Sequence, residues 1–145
     1  MFGQDRDSLR RHFFQAWDKA RTGQPLEPLE RLIAEVVGEH PEYHALLADE
    51  DAGLARDYTP EGGQSNPFLH MGMHIALREQ MAAGQPPGVR EAFQDLVRRT
   101  GDAHAAEHHA MECLGETLWT AQRTGTAPDE RAYLACLKRL GGAKP

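Results

Sequence analysis

Apolar residues recur at helical spacing along nearly the whole chain, and no stretch alternates with the period of two that a half-buried strand needs. Leu9, Phe13, Ala16, Trp17 and Ala20 form one stripe, which predicts a first helix from about Asp7 to Arg21, stopped by Gly23 and Pro25. Leu29, Leu32, Ile33, Val36 and Val37 form a second, weakened by Gly38 and ended by Pro41, which lacks a backbone donor and can itself open a short helix through Leu46 and Leu47. Residues 49–65 are acidic and rich in Gly and Pro, so they read as the longest irregular connection.

Asn66 and Pro67 are suited to start a helix, Asn as a side-chain acceptor for an orphan amide and Pro with a preset φ. That helix extends to about Ala83, and Phe68, Leu69, Met71, Met73, Ile75, Ala76 and Leu77 spread around its circumference, which predicts a central, mostly buried element. Gly72 is expected to let another element approach closely. After Pro86-Pro87-Gly88 comes a helix with Val89, Phe93, Leu96 and Val97 facing inward, then a long one capped by Asp102 and running from Ala103 to about Arg123. A last helix carries Tyr133, Leu134, Leu137 and Leu140. The expected fold is all-α, a single-domain bundle of about six to seven helices over residues 1–145.

The chain has 145 residues, enough for one core without a stabilising metal or disulfide. A formal net charge of −6 is the wrong sign for gripping a phosphate backbone, so nucleic acid is not an expected partner. No run of eighteen apolar residues occurs and the first twenty are charged throughout, so neither a membrane nor a signal peptide is expected, and the default location is cytoplasmic. Cys113 and Cys136 lie outside any CxxC motif and read as reduced, structural thiols.

Histidine is the residue type that changes the picture. Eight are present, and they include three HxxxH pairs: His40 with His44, His70 with His74, and His104 with His108. A random chain of this composition gives about 0.4 such pairs. On a helix, positions i and i+4 share a face, so two imidazoles can meet one ion at about 2.0–2.1 Å. The third pair reads His104-Ala105-Ala106-Glu107-His108 and continues to Glu112 at the next i+4 step, while His109 points to solvent. His70 and His74 sit on the most apolar helix, where each needs a metal, a carbonyl or a carboxylate such as Glu79 or Glu107, since an unpartnered buried polar group costs about 1–3 kcal/mol. Pro41 interrupts the remaining pair: His40 is expected to end its helix as an imidazolium complementing the dipole, and His44 to reach the centre beside Tyr43. His12 reads as a boundary residue and Trp119 as packing, on the side of its helix that carries His104.

The HAAEH string matches the inverted zinc-protease signature, but only 37 residues follow His108, too few for the downstream ligand and peptide cleft. Glu-x-x-His repeats of the di-iron carboxylate bundles are missing, and a histidine-dominated bundle of the hemerythrin or metal-hydrolase kind fits the ligand types better. Phosphate loops, nucleophile elbows and dinucleotide fingerprints are likewise missing.

These strings resemble a known family, the small bacterial proteins grouped as domain of unknown function 1841. The resemblance covers nearly the whole chain, through Met1-Phe2-Gly3-Gln4-Asp5-Arg6, His40-Pro41-Glu42-Tyr43-His44, Asn66-Pro67-Phe68-Leu69-His70, His104-Ala105-Ala106-Glu107-His108, Met111-Glu112-Cys113-Leu114 and Trp119-Thr120-Ala121-Gln122-Arg123. It implies a bacterial, cytoplasmic helical domain and carries no activity or catalytic residue. From the residues themselves, the expected function is a small helical metal-binding protein, with His70, His74, His104 and His108 as core ligands and His44 and Glu112 completing the shell. The ion is zinc, or iron or manganese, and Glu107 is the candidate general base of a hydrolase, an oxidoreductase being the other option. The alternative is a non-catalytic interaction module with a buried His/Glu hydrogen-bond network, whose acidic loop 49–61 meets a protein partner.

Overall fold

The computed structural model describes residues 6–50 and 66–142. Among them are seven α-helices, one 3-10 turn and no strand: α1 Arg6–Arg21, α2 Pro28–Gly38, the turn Pro41–Tyr43, α3 His44–Leu47, α4 Pro67–Ala83, α5 Val89–Thr100, α6 Ala103–Thr124 and α7 Glu130–Leu140. The chain forms two compact units, Met1–Ile75 and Ala76–Pro145, with the division inside α4. No helix of the described residues is long and apolar enough to cross a membrane. Most of the acidic loop lies outside the described residues, which include only Asp49 and Glu50 of it.

In the first unit the stripes of α1 and α2 face each other, burying Phe13, Phe14 and Ala16 with Ile33, Val36, Val37, Leu47, Phe68, Met71 and Ile75. The side chain of Leu9 lies outside the described residues. Phe68 is the hub: Phe13 meets its ring edge-on at 5.7 Å, and the Arg10 guanidinium, on a residue 2% exposed, lies over it at 4.7 Å. Lys19 of α1 reaches Glu30 of α2 at 2.8 Å, and the other carboxylate oxygen accepts from the Glu27 amide at the head of α2. The Lys19 hydrogen bond, followed by that amide, holds the Glu30 carboxyl below its usual value.

The second unit packs α5, α6 and α7 pairwise. Gly101 adopts φ 77°, a left-handed conformation that only glycine takes readily, and so turns the chain from α5 into α6 within two residues. Asp102 then caps α6 by accepting from the amides of His104 and Ala105. Arg90 donates to the carbonyls of Met81 and Ala82, closing the end of α4. Tyr133 donates to Gln80 Oε1 at 2.6 Å, and burial pushes its hydroxyl up to about 12.

Three expectations are corrected. Cys113 and Cys136 are a disulfide joining α6 to α7, not reduced thiols: both helices are long enough to bring Cα atoms 23 positions apart in sequence to 5.8 Å, well inside bridging range. Gly72 admits no close approach among the described residues, since a Cβ there would meet nothing within 4 Å. Helix α4 is mostly buried or half-buried, as expected, with Leu69 at 59% exposure an exception on its surface. Trp119 is not core packing; it is 56% exposed, with the Arg123 guanidinium 4.6 Å above its ring.

Candidate metal centre

The centre begins with the way α2 ends. A helix leaves its last carbonyls without intrahelical donors, and Pro41 removes the amide that would continue the ladder. His40 closes the gap: its backbone amide donates to Val37 O and its ring Nδ1, 2.7 Å from Val36 O, donates to that carbonyl. A neutral imidazole donating through Nδ1 carries its lone pair on Nε2, so the helix end fixes the tautomer a metal needs. The ring is 4% exposed and stacks on Tyr43, centroids 5.6 Å apart.

Helix α4 supplies the next two rings at the i, i+4 spacing. His74 is fully buried and His70 half-buried, their centroids 4.9 Å apart and nearly perpendicular. The His40 ring lies 5.3 Å from His70 and 4.9 Å from His74. Each of the three offers a ring nitrogen within 4.8 Å of the others. The two Nε2 atoms on α4 stand 3.3 Å apart. Two nitrogens bound at 2.0–2.1 Å to one tetrahedral ion would stand about 3.3–3.4 Å apart, and at the same distance one ring can also donate directly to the other. The cluster, three imidazoles at ligand spacing, can hold a metal ion.

His44 sits elsewhere in the first unit. Its Nε2 donates to Val37 O at 2.8 Å and its ring lies against Trp17, centroids 4.6 Å apart. In the second unit, His104 and His108 meet edge-on at 4.4 Å, and Glu107 is held by Arg78, whose Nε and Nη2 donate to its two oxygens at 3.3 and 3.4 Å. Glu107 is thus oriented by a guanidinium. Glu79, Glu112, His109 and His12 are exposed.

His40 is the residue that spacing alone missed. The sequence assigns it to the end of its helix as an imidazolium, set apart from His44 by Pro41, and so leaves it out of the expected ligands. The signal available was the helix end: an imidazole two positions past the last helical residue can reach the i−4 carbonyl, which turns its other nitrogen away from the backbone.

A family model described as a domain of unknown function (DUF1841) matches residues 5–139. Neither the curated proteins nor the solved structures include a match to this chain.

Proposed function

We propose that this chain, which belongs to the DUF1841 family, is a metal-binding protein that holds a divalent ion, zinc before iron or manganese, on His40, His70 and His74. The observation that carries this reading is the 3.3 Å separation of the two Nε2 atoms on α4, beside a third imidazole whose tautomer is set by Val36 O. Three neutral nitrogen donors suit zinc; iron and manganese favour additional carboxylates. A bound zinc ion with an open position would supply a water ionising near pH 7, which is the basis for a hydrolytic role. Within this chain, Val36 O orients His40 and the Tyr43 ring shields it from solvent. The cytoplasmic location expected from the sequence belongs to the same proposal.

A second reading rests on the backbone bonds of His40 and His44, which show that imidazoles here also serve as donors to carbonyls at the end of α2. On that reading the rings form a polar core network and the protein is a non-catalytic interaction module.

Elemental mass spectrometry on untagged protein purified without chelator separates the two. The metal reading expects near-stoichiometric metal that is lost in His70→Ala and His74→Ala. His104→Ala and His108→Ala report whether the second histidine pair contributes. Because fully buried His74 also serves packing, the wild-type chain supplies an independent measurement. At free metal about a hundredfold above Kd, chelation removes about 2.7 kcal/mol of stability and lowers the melting temperature by roughly 8 °C. No metal after reconstitution, with no response to chelator, overturns the proposal in favour of the network.

A further inference from the structure

A second feature, confined to the second unit, stands apart from the histidines. A pocket of about 170 Å³ opens between α6 and α7, and both half-cystines line it together with Glu116, Thr117, Asp129 and Arg139. The two sulfurs are not equivalent: Cys113 is 1% exposed, whereas Cys136 is half-buried. Thiol–disulfide exchange needs access to the sulfur under attack, and exposed disulfides are the labile ones. This one forms part of the wall of a cavity with room for a molecule of several heavy atoms.

The polar lining carries a charge preference. Glu116 and Asp129 against Arg139 leave one net negative charge, and Asp129 is fixed because it also accepts from the Ala132 amide at the head of α7. Thr117 is committed to the Cys113 carbonyl at 2.9 Å. The lining therefore favours a small cation over a small anion.

We propose that Cys113–Cys136 is an exchangeable disulfide, addressed through this pocket by small cationic thiols that attack Cys136. The aminothiol attacks as its thiolate, forming a bond to Cys136 Sγ while the bond to Cys113 Sγ breaks. Cys113 leaves as a thiolate and takes up a proton equivalent to the one the attacking thiol lost. A second aminothiol then attacks the mixed disulfide at its own sulfur, releasing the small-molecule disulfide and Cys136 as a thiol. In total, two small thiols are oxidised to one disulfide and the protein bond is reduced to two thiols. Selection of Cys136 over Cys113 follows from access, and selection of the thiol from charge.

The test uses the oxidised wild-type chain under native conditions, with cysteamine and mercaptoacetate as probes and rates expressed per thiolate to remove their different acidities. Adducts are trapped by acid and located by peptide mass mapping. The expected result is a mixed disulfide on Cys136 alone, formed faster with cysteamine by about thirtyfold at low ionic strength, since the two probes differ by two unit charges and each is worth about fivefold beside one neighbouring unit charge in water. High salt and Glu116→Gln, an exposed substitution that leaves the helix intact, should both shrink that ratio. Adducts on Cys113, rates indifferent to thiol charge, or exchange only at denaturant concentrations that unfold the chain would each overturn the proposal.

Discussion

At the scale of single residues, Glu30 shows how a buried carboxylate becomes a sensor of acid stability. One oxygen is held by Lys19 and the other by the Glu27 amide, and the residue is 5% exposed. Its folded-state value lies below the ordinary 4.5, so the ionised form is favoured by folding. The stability this adds is complete above 4.5 and is lost as pH falls through the lower folded value. Urea midpoints measured from pH 6 down to 3 should therefore fall more steeply for wild type than for Glu30→Gln, which cannot titrate; parallel curves would show that the ion pair contributes nothing. The histidines follow a different logic. His70 and His74 were legible because i, i+4 is a rule of helix geometry, and that rule survives whatever packs around it. His40 was not, since its role depends on which carbonyl the broken end of α2 leaves open.

At the scale of elements, the helices were the most legible part of the molecule. Asn66 and Asp102 start α4 and α6 where their side chains predict, each accepting from two backbone amides. Asp102 also follows directly on Gly101, so α6 owes its start to two adjacent residues with distinct jobs. Replacing Asp102 by Ala should cost about 1 kcal/mol by leaving those amides to water, and Asp102→Asn should recover most of it, as checked by chemical denaturation. Loss in both variants alike would mean that the charge, and not the hydrogen bonds, supports the helix end. Less legible were the faces. Leu69 in α4 and Leu118 and Trp119 in α6 are apolar yet exposed, because periodicity identifies a stripe without saying how wide the surface is that covers it. Gly72 misled for a related reason: glycine permits close approach but does not require it.

At the scale of the whole molecule, the cysteines mark the limit of reading along a chain. Two residues 23 positions apart carry no sign of proximity until α6 and α7 turn back on each other. Once they do, the bridge constrains the unfolded chain more than it adds contacts to the folded one. Closing a loop of that length removes unfolded-state entropy worth about 3 kcal/mol, against a total stability of about 5–15 kcal/mol for a domain of ordinary size. Reduction should accordingly lower the urea midpoint substantially, and the reduced wild type should match Cys113→Ala/Cys136→Ala to within the small cavity left where the Cys113 sulfur was buried. Comparing three species separates the causes. A reduced chain as stable as the oxidised one would mean that the loop is already constrained in the unfolded state. A double variant far weaker than the reduced chain would assign the loss to packing around Cys113. Only a reduced chain and a double variant that fall together establish the covalent bond between α6 and α7 as the source of the stability.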